Sequence, residues 1–144
     1  MALVADTGAL YALYDADDRH HAAVRQVVEN ERGPIVIPVV ILAELDYLLR
    51  QFLSVRAELD FLDGIANGVY TLESFTTEDL ERVQELIATY SALDIGLADA
   101  AIVATAERLR VYRILTVDER DFRAIRPKHG RFTLLPADSR GENA

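Results

Sequence analysis

Cysteine is missing from all 144 residues, which removes disulfide frameworks, thiol nucleophiles and cysteine-ligated zinc sites together. A bound metal would have to rest on oxygen or on histidine, and only His20, His21 and His129 supply the latter. Long hydrophobic runs are missing as well. The longest uncharged stretch, Gly33 to Ala43, holds two prolines and falls short of the roughly 20 apolar residues of a membrane span, so no membrane association is expected. The opening Met-Ala-Leu-Val-Ala-Asp lacks a basic leader and meets a carboxylate at Asp6, unlike a secretory signal. The expected location is the cytoplasm.

Basic charge is scarce too: 15 lysines and arginines face 24 acids, for a net charge of −9. An acidic chain is poorly suited to coating nucleic acid non-specifically, because phosphate binding rests on cations. The distribution softens that exclusion. Five of the basic residues, Arg120, Arg123, Arg126, Lys128 and Arg131, lie in one short segment against a single acid, Asp121, a local balance of +4 that leaves −13 elsewhere. That segment is either a solvated turn or a basic edge able to hold RNA.

What the chain has in quantity is apolar surface: 51% of residues are hydrophobic, enough for one sizeable core at this length. A single domain over residues 1–137 is expected, followed by a polar, flexible tail at 138–144. Short apolar runs at 2–5, 35–37, 69–72, 114–117 and 132–135 have the length of buried strands. Between them, Ile41, Leu45, Leu48, Leu49 and Phe52 recur at helical spacing, as do Leu80, Val83, Leu86, Ile87 and Tyr90. Thr76 and Asp79 have the spacing of a capping box, which starts the second helix at Thr76 or Thr77. Strands apolar on both faces, alternating with helices, predict an α/β fold with a central, mostly parallel sheet flanked by helices. Such sheets bind ligands at the carboxyl ends of their strands.

Carboxylates stand at those ends. Asp6 follows the first apolar run and is either a helix N-cap or a site residue. Glu44 sits at the margin of an apolar helical stripe, where it needs either an arginine or a cation as partner. Asp99 falls on a helical wheel between Ile102 and Val103, with no basic neighbour; it either caps the helix starting near Leu97 or is compensated by a cation. Asp118 follows Ile114-Leu115-Thr116-Val117 and has Glu119 and Asp121 beside it, an acidic turn or a cation site. Oxygen donors alone would select a hard cation, Mg²⁺ or Mn²⁺. Such an ion can activate water and neutralise charge on a phosphate, the needs of phosphodiester hydrolysis.

The segments Val4-Ala5-Asp6-Thr7, Ala43-Glu44-Leu45, Leu97-Ala98-Asp99-Ala100 and Leu115-Thr116-Val117-Asp118-Glu119-Arg120-Asp121-Phe122 together resemble the PIN-domain pattern, in order, over nearly the whole chain. The resemblance is to VapC-type toxins of toxin–antitoxin pairs. It implies a PIN-like fold and metal-dependent endonucleolytic cleavage of RNA with Mg²⁺ or Mn²⁺. It places Asp6, Glu44, Asp99 and Asp118 at the catalytic metal-ligand positions, with Thr116 an additional polar residue and Asp121 the alternative fourth acid. It also implies a homodimer and a VapB-type antitoxin whose C-terminal segment lies across the site. Leu10, Leu13, Tyr14, Leu48, Phe52 and Phe61 are candidates for the groove that receives it.

Other readings fit less well. A receiver-type phosphotransfer domain wants an acid pair after the first strand and a lysine near the last, whereas Lys128 is the only lysine here. A haloacid-dehalogenase-like phosphatase needs Asp-x-Asp, and Gly8 stands in the second place. A histidine-based hydrolase finds only adjacent His20 and His21 and the isolated His129. The remaining rival is a PIN-fold binding module acting through its partner.

Overall fold

Leu3–Ala5 forms strand β1, and all three residues are buried, as they must be in a central strand covered on both faces. Its neighbours are β2 (Ile35–Pro38) and β4 (Arg113–Leu115), in parallel register with Leu3 opposite Ile35 and Val4 opposite both Val36 and Ile114. β3 (Thr71–Glu73) lies outside β2, and β5 (Thr133–Leu135) outside β4. The sheet order is therefore β3-β2-β1-β4-β5, and every pairing is parallel. The computed structural model from which this follows describes residues 1–139.

The chain moves outward from β1 to β2 and β3, then returns to the other side of β1 for β4 and β5. The switch in direction opens a crevice between the ends of β1 and β4, where ligands bind in doubly wound sheets.

The crossovers are helical: α1 (Thr7–Tyr14) and α2 (His21–Asn30) precede β2, while α3 (Leu42–Phe52) and α4 (Val55–Ala66) precede β3. α5 (Thr77–Thr89) and α6 (Leu97–Leu109) lead to β4, and short α7 (Glu119–Ala124) leads to β5. α6 packs on β1 and β2 and is buried from Ala100 through Ala106. The alanines at 100, 101, 104 and 106 let its backbone approach the sheet closely, and α5 covers its outer side.

The capping box forms as expected: Thr76 Oγ1 accepts from the Asp79 N–H at 3.2 Å, and Asp79 Oδ2 accepts from the Thr76 N–H at 3.0 Å. Asp79 also accepts from Arg108 Nε at 2.9 Å, which ties the start of α5 to the end of α6.

Two expectations change. The third strand begins two residues later than its apolar run, because Val69 and Tyr70 still donate to the Gly64 carbonyl at the end of α4 and Gly68 turns the chain at φ +81°. Among the groove candidates, Leu10 and Phe61 are wholly buried core residues and Leu13, Tyr14 and Leu48 are half-buried, leaving only Phe52 exposed. Tyr14 stacks edge-on against Phe61 and shares a 2.6 Å hydroxyl–hydroxyl hydrogen bond with Tyr70. At the C-terminus, Asp138 accepts from Arg123 at 2.6 Å and from the Leu134 N–H at 2.8 Å. Residues 140–144 of the expected tail lie outside the described residues.

Candidate metal centre

The backbone delivers Asp6 and Thr116 to the crevice side by side. The Asp6 N–H donates to the Leu115 carbonyl at 2.9 Å, which carries the β1–β4 ladder one residue past the strand end, and the Thr116 N–H does the same toward Leu135. Asp6 is the N-cap of α1, with Oδ1 accepting from the Thr7 N–H at 2.7 Å. Its other oxygen, Oδ2, accepts from Thr116 Oγ1 at 3.0 Å. Thr116 Oγ1 in turn accepts from the Asp118 N–H at 3.0 Å, so one buried hydroxyl links the acid after β1 to the backbone of the acid after β4.

Asp118 caps α7 and accepts from the Asp121 N–H at 3.4 Å. The start of α7 therefore turns Asp121 back toward Asp118. Asp99 comes from the first turn of α6, whose N-cap is Gly96, so it is not itself the cap. Carboxylate oxygens of Asp99, Asp118 and Asp121 all lie within 4.8 Å of one another, an arrangement that can hold a metal ion. Of the two candidates for the fourth acid, both thus belong to the cluster. Glu44, in the first turn of α3, is exposed, and among the described residues it has no arginine partner.

Electrostatics joins the acids that distance alone does not group. Burial pushes the Asp6 carboxyl from 3.8 up to about 6; hydrogen bonds from Thr116 and Thr7 oppose the rise, and the charges of Asp118 and Glu44 add to it. Asp99 is pushed up to about 7, first by burial and then by Asp6, Asp118, Asp121 and Glu44. Among the described residues no cation offsets either shift. Like charges concentrated without a positive partner favour either a bound proton or a bound metal ion.

One further atom fits that picture. Thr7 Oγ1 is buried without a hydrogen-bond partner, directly after Asp6. A hydroxyl stranded in this way is costly unless water or an ion's hydration shell reaches it. The sequence offered no signal for this beyond the Asp-Thr-Gly motif. The glycine of that motif has a visible reason: a Cβ at Gly8 would stand 3.2 Å from Val117 Cγ2, so α1 and the loop after β4 approach closely here. A cavity of about 500 Å³ beside α2 and Arg113 is lined by none of these acids.

A parallel sheet with an all-oxygen acidic cluster at its switch point defines an α/β protein whose acids are able to hold a hard cation. The chain matches the PIN domain over residues 3–127 and belongs to that family. It is 38% identical over 135 residues to Ribonuclease VapC26 of Mycobacterium tuberculosis, an alignment spanning 93% of this chain and 100% of that protein. Among solved structures it resembles Mycobacterium tuberculosis VapC20, a Sarcin-Ricin loop cleaving toxin, with a TM-score of 0.76 and 18% identity over 82% of this chain and 91% of that one. It also resembles DNA-bound VapBC from Salmonella typhimurium, with a TM-score of 0.69 and 18% identity over 93% and 98% of the two chains.

Proposed function

We propose that this protein is an endoribonuclease dependent on Mg²⁺ or Mn²⁺, the toxin of a toxin–antitoxin pair, acting in the cytoplasm as one domain. The observation that carries the reading is the convergence of acids from the starts of α1, α6 and α7 on the switch-point crevice, with no cation among the described residues to compensate them. Names among its relatives, Ribonuclease VapC26 above all, point the same way.

Asp6, Glu44, Asp99 and Asp118 are assigned as metal ligands, and Asp121 stands close enough to Asp99 and Asp118 to share that role. The donor set fits the ion: only oxygens are present, and the residue directly after Asp6 carries a stranded hydroxyl. When bound, the cation would neutralise charge on a phosphate and acidify a water for hydrolysis. The chain's own contribution is positioning. Thr116 holds Asp6 Oδ2 and the Asp118 backbone in one register. No side-chain nucleophile is required.

Its structural neighbours include a toxin–antitoxin complex from Klebsiella pneumoniae and VapBC from Salmonella typhimurium, which supports a VapB-type antitoxin as partner. The exposed apolar residues Tyr47, Phe52, Val55 and Leu59 of α3 and α4 are candidates for contact with that partner.

The deciding experiment incubates the purified protein with RNA in Mg²⁺, in Mn²⁺ and in EDTA, alongside Asp99→Asn. Cleavage by wild type in metal alone, lost in EDTA and in the variant, is the expected result. Cleavage that survives EDTA, or no cleavage with either metal, would sink the assignment.

A further inference from the structure

The acidic site cannot attract RNA unaided, since its carboxylates repel phosphates and the chain carries a net charge of −9. Grip has to come from cations that are not already committed. Among the described residues most arginines of the helical layers are engaged: Arg82 with Glu85 and Glu107, Arg108 with Glu73 and Asp79, Arg123 with Glu119 and Asp138. Uncommitted cations such as Arg32, Arg50 and Arg110 are scattered elsewhere, but around and beyond α7 four of them stand in one segment. Arg120, Arg126, Lys128 and Arg131 are all exposed, and among the described residues none has a carboxylate within ion-pair distance.

Their backbone is nevertheless fixed. The Arg126 N–H donates to the Tyr90 hydroxyl at 2.9 Å, and the Lys128 N–H donates to Glu107 Oε2 at 2.7 Å. Free charges therefore stand on an anchored loop. Beside them is a cavity of about 210 Å³ lined by Phe122, Pro127 and Phe132 together with Arg123, Arg126 and Arg131. Apolar rings and guanidinium planes are the surfaces on which unstacked bases rest.

The position suits a substrate of the acidic site. Asp118 caps α7 and Asp121 lies in its first turn, while Arg126 follows two residues after the helix ends. A helix of 6 residues is about 9 Å long, so the edge starts roughly one such length from the acids.

We propose that the segment from Arg120 to Arg131 is the surface that grips single-stranded RNA on one flank of the site. Arg126, Lys128 and Arg131 contact phosphates, and the cavity receives one base. This rests on the ribonuclease reading above and deepens it: the acids act on the phosphodiester, and this edge sets where the strand lies.

The test is the triple variant Arg126→Gln/Lys128→Gln/Arg131→Gln, assayed for cleavage of a single-stranded RNA oligonucleotide in Mg²⁺ against salt. KM should rise about tenfold with kcat within about twofold, and the dependence of log kcat/KM on log salt should flatten by about 2, at roughly 0.7 per lost phosphate contact. The charge-keeping pair Arg126→Lys/Arg131→Lys should leave the salt dependence as in wild type. So should a control set on and beside α2, Arg19→Gln/Arg25→Gln/Arg32→Gln. If the triple variant melts early, Arg120→Gln and Lys128→Gln taken singly should each raise KM about threefold. Unchanged KM and salt dependence in folded variants overturns the proposal, and so does a change confined to self-association in light scattering, which would make the edge a protein interface. Absence of cleavage by wild type itself would instead overturn the ribonuclease reading.

Discussion

Thr116 makes two bonds with one hydroxyl, donating to Asp6 and leaving its lone pair to the Asp118 N–H. Thr116→Val keeps the shape and deletes both. Asp6 then loses the largest influence that holds its carboxyl down, so its pKa rises further. Metal affinity and cleavage should fall about 10- to 100-fold, the usual cost of losing a partner that orients a ligand, while Thr116→Ser should restore most of both. Isothermal titration with Mn²⁺ reads this directly, and unchanged affinity in the valine variant would refute the positioning role. The two neighbouring acids separate by a similar argument. Asp118→Asn retains the α7 cap, because asparagine caps as well as aspartate does, yet removes the charge that raises both Asp6 and Asp99. Asp121 touches only Asp99 in that way. Asp118→Asn should therefore reduce cleavage more than Asp121→Asn; the reverse order in a kcat comparison would exchange their roles.

At the scale of elements, α6 carries Asp99 at one end and is clamped to α5 at the other. Asp79 closes the α5 capping box and receives the Arg108 guanidinium, whose positive charge and hydrogen bond hold its carboxyl below the usual range against the opposing effect of burial. Asp79→Ala removes the bond from the Thr76 N–H and one arm of the ion pair, while Thr76 keeps its own cap bond to the backbone N–H at position 79 and Arg108 keeps Glu73. A loss of about 2 kcal/mol at most is expected, summing one hydrogen bond of ~1 kcal/mol and a partly exposed pair worth at most ~1 kcal/mol. Thermal melting should shift down by roughly 5 °C for a domain of this size, with little change in kcat. A large loss of kcat without loss of stability would mean that the clamp also orients Asp99. On the other side of the fold, Phe52 is exposed on α3 while Tyr14 is locked to Phe61 and Tyr70. Phe52→Glu should leave folding intact and weaken partner binding, whereas a charge at Tyr14 should lower the melting temperature.

For the whole molecule, the strained site ties stability to pH. Asp6 and Asp99 bind a proton more tightly folded than unfolded, with folded values of about 6 and about 7 against 3.8. Their protonated forms thus cost nothing below about pH 4, and the stability associated with them is lost as the pH rises through 6 and 7. Metal-free protein should melt lower at pH 8 than at pH 5 by this contribution. Added Mg²⁺ or Mn²⁺ replaces the lost protons, so it should raise the melting temperature at pH 8 and far less at pH 5. Equal metal-induced shifts at the two pH values in scanning fluorimetry would argue against a site built on these two carboxyls.

How much of this was legible in the sequence depended on range. Apolar runs flanked by polar residues located the strands because a buried parallel strand must be apolar on both faces, and the Thr76–Asp79 spacing located a helix start because the cap is local chemistry. Helices α2 and α4 carried weaker signals; α4 begins at a Ser54 cap that was not singled out. The third strand was misplaced by two residues since Tyr70 is apolar in character but is used by the α4 terminus and the Tyr14 contact. Leu10 and Phe61 looked surplus because local pattern does not count the partners that helix packing brings. The sequence alone determined which residues are acidic, that they follow strands or open helices, and that no cysteine or neighbouring cation serves them. Only the tertiary structure decided that the acids after β1 and β4 share Thr116, that Asp121 joins Asp99 and Asp118, and that Thr7 is left unpaired. Those facts depend on the order β3-β2-β1-β4-β5, which sets residues more than a hundred positions apart side by side, and no pattern of local spacing specifies which strands become neighbours.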